Sequence, residues 1–378
     1  MRVGIMSMQR VYNYGSFLQA YALKKTIEKM GHEVVFIDYR PGKPRIHNNS
    51  EKSKYIKSLV KKSAFGILDS SRIFLKLGII PKSVKYSMLS HNSYKTEYWK
   101  LLGMGKHKNY DSNVDVLVIG SDEVFNCLQM NVEVGYTRDL FGFNTKAKKT
   151  ITYAASFGNT TLEALEADGV IEYIKEDFSK INSFSVRDRN SYEIVSSITN
   201  RKDIYENFDP VLIHDFSEVK QKTIDMSDYI IVYAYRGRLS ADEEKAIKLF
   251  AEKRGKKLVA IGGYHKFCDL YIQDSPLEVF NYFRKADFVI TDTFHGTIFS
   301  VINHAKFGVF VRSGSGEKYG NSEKMMDLLH KLGLEKQIIN ELSHIESVLE
   351  QTIDYKTIDG ILLTERNKAI EYLKTNIS

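Results

Sequence analysis

Residues 287–304 read DFVITDTFHGTIFSVINH. An apolar run ends at Asp292 and Thr293, which form the turn, and the spacing after His295 predicts a helix that Asp292 caps. A histidine in that place stands at a helix N-terminus, where backbone N–H groups and the positive end of the dipole favour an anion, phosphate above all. His295 can donate a hydrogen bond or exchange a proton near neutral pH. Gly296 leaves the backbone open to close approach, and Thr297 adds a hydroxyl. A lone histidine is more often a satisfied turn residue than a catalyst, so the surroundings carry the weight.

Those surroundings are strand ends. The run VGIM at 3–6 predicts a strand, residues 16–30 a helix, and EVVFIDY at 33–39 a second strand, the unit from which parallel sheets are built. Between the first strand and the helix, Asn13, Tyr14 and Gly15 form a tight loop and Ser16 is placed to cap. VDVLVIG at 114–120 stops at a loop carrying Ser121, Asp122 and Asn126, and TITYAASFG at 150–158 ends the same way. INSFSVRDRNS at 181–191 sets Arg187, Asp188 and Arg189 after another short strand. Open α/β sheets bind ligands at the carboxyl ends of their strands, so these loops face ligand. DPVLI at 209–213 opens a second half with YIIVYAY (229–235), a helix over 240–254, KLVAIGG (257–263) and DFVIT (287–291). The expected architecture is two α/β domains facing across a cleft, 1–207 and 208–378, the second ending in amphipathic helices from about Ile345.

Composition narrows the class. A chain of 378 residues, 43% hydrophobic, can build real cores in two or three domains. The N-terminus has no charged stub followed by an apolar run, and no stretch reaches the roughly 18 apolar residues of a membrane span. Cys127 and Cys268 have no zinc, redox or disulfide spacing, which fits a reducing, cytoplasmic setting. No His/Asp/Glu spacing suggests a metal, and 313–325 (SGSGEKYGNSEKM), though rich in glycine and serine, lacks P-loop spacing. Net charge is +7, and residues 43–108 hold 15 Lys/Arg against three acids. That basic helical excursion, 43–110, is either a solvated face or a surface for phosphate or anionic lipid.

TDTFHGTIFSVI also resembles the C-terminal signature of the polysaccharide pyruvyl transferase family. NYGSFLQAYAL (13–23), GSDEVFN (120–126), YAASFG (153–158), SVRDRNS (185–191), DPVLI (209–213) and SPLEVFNYFRKADFVITD (275–292) look like its other landmarks, in order. The resemblance implies a GT-B-like fold of two Rossmann-like domains and transfer of a pyruvyl group from phosphoenolpyruvate to a sugar as a ketal, without a cofactor. The first domain is expected to take the acceptor and the second the phosphoenolpyruvate. On that resemblance His295 is the acid/base or phosphate partner, and Arg187 binds the carboxylate or phosphate of the donor, with Thr293, Gly296, Thr297 and Lys318 around it. Several relatives have an arginine where this chain has Thr293. A hydroxyl does not replace a guanidinium fork, so either Arg189, Arg236, Arg312 or Lys318 serves, or the donor differs.

Asp122 is the candidate acid/base for the acceptor, with capping of a following helix as the alternative. Asn13, Tyr14, Ser121 and Asn126 are candidate acceptor contacts, the 13–15 loop being otherwise purely structural. The resemblance implies a cell-surface glycan, often lipid-linked, as acceptor. Residues 55–79 mix Lys/Arg with apolar residues in a pattern suited to peripheral contact with the inner face of the cytoplasmic membrane. Two other functions fit the same features: a GT-B glycosyltransferase using a nucleotide sugar, and a noncatalytic binder of anionic polymer. No nucleic-acid motif is present.

Overall fold

The computed structural model describes residues 1–45, 56, 81–220, 222–312 and 322–378. Lys318 and all of 55–79 except Ile56 lie outside the described residues, as does most of the 313–325 loop.

The chain forms two compact units. The first comprises Met1–Tyr12, Ser16–His214 and Glu365–Ser378; the second comprises Asn13–Gly15 and Asp215–Thr364. The division falls at His214/Asp215, seven residues beyond the expected 207/208. DPVLI, expected to open the second half, lies in the first unit, where Pro210–Ile213 is one helical turn, Pro210 supplying a preset φ and Asp209 accepting from the Val211 N–H at 3.0 Å. The C-terminal helix, Tyr355–Ile377, belongs from Glu365 onward to the first unit. There Tyr372 donates to the carbonyl of Thr152 at 2.7 Å, and Arg366 to that of Ile213.

The sheet of the first unit has six strands: β1 (Arg2–Met6), β2 (Glu33–Phe36), β3 (Val116–Asp122), β4 (Lys149–Ala155), β5 (Phe184–Val186) and β6 (Ile204–Glu206). Their order is β2-β1-β3-β4-β5-β6 and every pair is parallel. All seven residues of β3 are buried, the signature of a strand covered on both faces. β3 runs two residues past its apolar stretch because Asp122 pairs with Ala155 of β4. Phe125, Phe141, Phe157, Phe178 and Phe184 pack together at one side of this sheet, with ring centroids 5.0–6.4 Å apart. Of the basic excursion, Lys82–Ser93 and Tyr94–Leu101 are helical, and His91 stacks on Tyr12 at 3.7 Å.

The second sheet has β7 (Tyr229–Tyr233), β8 (Lys257–Ile261), β9 (Leu270–Ile272), β10 (Phe288–Thr291) and β11 (Phe307–Val309). Their order is β11-β10-β7-β8-β9, again all parallel. β9, only three residues long and partly exposed, has too little apolar pattern to be read from sequence. The helix Ala241–Lys253 begins with a reciprocal capping box between Ser240 and Glu243. The helix Phe294–Ile302 packs Phe299 against Tyr233, Phe280 and Phe283.

Candidate active site

In the first unit, four neighbouring strands end together. Ser7, after β1, donates to the carbonyl of Ser121 at 2.8 Å, and Ser16 donates to Asp122 Oδ2 at 2.8 Å. Asp122 stands at φ +78°, a conformation that non-glycine residues rarely hold without cause, and only turns follow it, so it caps no helix. Asp188 is the residue that caps: it accepts from the Ser191 N–H at 2.9 Å at the start of the helix Arg189–Thr199. Ser156 donates to the other oxygen of Asp188 at 2.5 Å.

Arg187 is sunk among these carboxylates. Its Nη1 donates to Asp209 at 2.8 Å, its Nη2 stands 3.8 Å from Asp122, and its side chain is 2% exposed. Burial lowers its proton affinity, but Asp209, Asp122, Asp188 and Glu123 outweigh that and raise it above the ordinary value. One guanidinium among several carboxylates leaves the cluster electronegative. Such a cluster favours hydrogen-bond donors over an anion. Arg187 is thus placed as an internal countercharge.

Ser121 and Asn126 are also taken up internally. Ser121 is fully buried and its hydroxyl points to Asp209 at 3.5 Å. Asn126 donates to Glu123 Oε2 at 2.8 Å and accepts from Thr160 and from the Leu128 N–H, both at 3.0 Å. Among the residues of this corner, Asp122 has its carboxylate held by Ser16.

In the second unit the strand-end loop after β10 carries His295. Thr293, not Asp292, caps the helix: its Oγ1 accepts from the Gly296 N–H at 2.9 Å. The expected ligand-facing roles of Gly296 and Thr297 do not match their surroundings. A Cβ at Gly296 would collide with Thr291 Oγ1, and would approach Thr293 Oγ1 and the Tyr233 ring to under 3 Å, so the glycine permits packing on β7 and β10. Thr297 is fully buried and donates to the Thr293 carbonyl at 3.2 Å.

His295 itself packs against residues 13–15, which belong to this unit. A Cβ on Gly15 would run into the imidazole. The helix here runs Tyr14–Lys29, so Asn13 and not Ser16 stands before its first turn, accepting from the Gly15 N–H at 2.7 Å and donating to the Tyr235 hydroxyl at 2.8 Å. Tyr14 donates to the Asp274 carbonyl at 2.8 Å. These two side chains therefore hold the start of that helix against the histidine.

Asp292 is the hub of an ion-pair array that sequence reasoning did not assemble. It is fully buried, accepts from the Tyr235 N–H at 3.3 Å, and stands 3.0 Å from Arg238 Nε and 3.5 Å from Arg312 Nε. Arg312 also grips Glu243 with both terminal nitrogens, at 2.6 and 3.1 Å. Burial raises the pKa of Asp292, against the pull of Arg238 and Arg312. Glu243 ends below the usual carboxylate value: burial pushes it up, and Arg312 with the Ser240 cap overcomes that. Arg189 and Arg236 are exposed, and Arg189 pairs with Glu193 at 3.0 Å. The signal for Arg238 was RGR just past an apolar strand; what it pairs with was not readable.

Among the described residues no group of three or more His, Cys, Asp or Glu side chains could hold a metal ion, and no helix is long and apolar enough to cross a membrane.

Solved structures similar to the chain include a spinosyn rhamnosyltransferase complexed with thymidine diphosphate (11% identity, TM-score 0.44, covering 100% of both chains). A glycosyltransferase of Streptomyces sp. SF2575, also with thymidine diphosphate, is 10% identical with TM-score 0.45, covering 99% of each chain. The S. aureus MnaA–UDP structure is 11% identical with TM-score 0.45, covering 99% of this chain and 97% of that one. The α/β architecture of this protein stands on its own two parallel sheets. No curated protein matches the chain. A family model described as polysaccharide pyruvyl transferase matches residues 13–314, from the helix start that meets His295 to just beyond Arg312. With most of its length inside that match, the chain belongs to the polysaccharide pyruvyl transferase family.

Proposed function

We propose that the protein transfers a pyruvyl group from phosphoenolpyruvate to two hydroxyls of a sugar in a cell-surface glycan or its lipid-linked precursor, forming a ketal and releasing phosphate. The observation that carries this reading is His295 at the head of the Phe294–Ile302 helix, backed by a guanidinium-bearing strand end, in a chain of this family. The donor half is assigned to the second unit and the acceptor half to the first.

The chemistry has two additions and one departure. Carbon 3 of phosphoenolpyruvate takes a proton, for which the His295 imidazolium is the assigned donor. Carbon 2 then takes the oxygen of one sugar hydroxyl, and Asp122 is the assigned acceptor of its proton. The C–O bond to phosphate breaks with its electron pair on phosphate. The second hydroxyl closes the ring on carbon 2 and its proton leaves with the phosphate. No cofactor enters this sequence. The donor is a metabolite of the cytoplasm, so the reaction is assigned there, with a lipid-linked acceptor met at the inner membrane face. Peripheral contact through 55–79 remains part of the proposal, and co-sedimentation with anionic vesicles at low salt is its measurement.

The primary test is a thermal shift with phosphoenolpyruvate set against nucleotide diphosphates and nucleotide sugars. Ligand at about 100 times its Kd adds roughly 2.7 kcal/mol. A shift with phosphoenolpyruvate, and pyruvylation of a glycan acceptor that falls about 100-fold or more in His295→Asn, is the expected result. A shift with a nucleotide sugar alone replaces pyruvyl transfer with glycosyl transfer, and binding of anionic polymer indifferent to His295 replaces catalysis altogether.

A further inference from the structure

We propose that Arg238 binds an oxyanion of the donor, and that Asp292 positions it to do so. This rests on the phosphoenolpyruvate reading above. The donor carries a carboxylate and a phosphate, so its site needs a fork of N–H donors that is charged, ordered and within reach.

The other arginines considered for this role are each less suited to it. Arg187 is charged and ordered, but it is 2% exposed and its field is cancelled by the carboxylates around it. Arg189 and Arg236 are exposed, and Arg189 is turned to Glu193 at 3.0 Å and stands 3.8 Å from Glu206, away from the turn that carries His295 in sequence and unit. Arg312 is ordered, with both terminal nitrogens committed to Glu243.

Arg238 meets all three conditions. Its Nε faces the Asp292 carboxylate at 3.0 Å, its Nη2 donates to the Asp292 carbonyl at 3.1 Å, and its ring-stacking partner is Tyr235 at 5.2 Å. Nη1 has no partner among the described residues, and the side chain is 15% exposed. The carbonyl it grips belongs to the peptide that enters the Thr293 cap, three residues before His295. One buried carboxylate thus fixes a guanidinium in the same turn that presents the imidazole. A planar fork held along one edge offers the remaining N–H groups to an oxyanion with little entropy left to lose.

The test is calorimetric titration of the full chain with phosphoenolpyruvate, inorganic phosphate and pyruvate. Arg238→Gln should weaken phosphoenolpyruvate binding about 10- to 100-fold, the loss of one charge-assisted contact, while Arg236→Gln leaves it unchanged. Arg238→Gln/Asp292→Asn should show the same loss; it removes the buried carboxylate whose countercharge the single variant weakens, and its melting curve checks the fold. If Arg238 holds the phosphate group, the inorganic phosphate affinity falls with it; if it holds the carboxylate, the pyruvate affinity falls. Wild-type protein that binds phosphoenolpyruvate while both Arg238 variants bind it equally well overturns this inference alone. Wild-type protein that does not bind phosphoenolpyruvate removes the donor reading and this inference together.

Discussion

Each unit places arginine beside aspartate at the carboxyl ends of a parallel sheet, and the two arrangements differ in what the charge is for. Arg187 has a 2% exposed side chain and is neutralised by Asp209 and Asp122 from neighbouring strand ends. Arg238 and Arg312 keep 15% and 18% exposure around the buried Asp292, and Arg312 is also paired with Glu243. The first arrangement is a strut that joins the ends of β3, β5 and the turn at Asp209. The second leaves the Arg238 guanidinium at a reachable rim. The arginine that a family motif advertises is therefore the internal one, and the arginine outside any motif is positioned for ligand.

Removing the strut should do the most damage. Arg187→Met leaves Asp209 buried beside the other carboxylates without their cation, and should cost about 3–5 kcal/mol, read as a large fall in Tm before any ligand is added. A modest fall with phosphoenolpyruvate binding abolished would instead place Arg187 in the donor site. Gly15→Ala tests the contact at the histidine. The added Cβ meets the imidazole, so overpacking of about 1–3 kcal/mol is expected, together with loss of pyruvyl transfer, whereas an unchanged enzyme would show that the loop leaves His295 room.

The acid limb of stability separates the units further. Glu243 titrates below its unfolded value, so its contribution is present above the ordinary carboxylate pKa and disappears as pH falls through the folded one. Glu243→Gln should lower stability at pH 7 by about 1–2 kcal/mol, from the lost cap and ion pair, and the gap to wild type should close in acid. A gap independent of pH would assign the loss to packing. Smallest of all, Arg189→Ala should shift stability by no more than about 0.5 kcal/mol and leave donor binding untouched, because its side chain is 60% exposed. A marked loss of donor affinity there would move the anion site to the first unit.

Much of this was legible in the chain. VLVIG, TITYAA, YIIVY and FVIT are apolar runs of strand length, and each became a buried parallel strand where it was expected. The loop residues at their ends could be named because a parallel strand must hand over to a crossover at that point. Individual roles were harder. Thr293 and Asp292 are both good caps, and only the path of the turn decides that Thr293 caps while Asp292 turns toward the arginines. Gly296 could serve a ligand or a packed neighbour equally well until Tyr233 and Thr291 are seen against it.

Local pattern was enough to establish two parallel α/β sheets and a histidine heading a helix, because strand, turn and helix preferences act over a few residues. Partnership was not local. Ser16 meets Asp122 across 106 positions, Arg238 and Arg312 converge on Asp292, and residues 13–15 and 365–378 each join the unit remote from them in sequence. Sheet order and register set these meetings, and they are decided by the packing of the whole chain. That packing turned one arginine into a strut and left another at the rim.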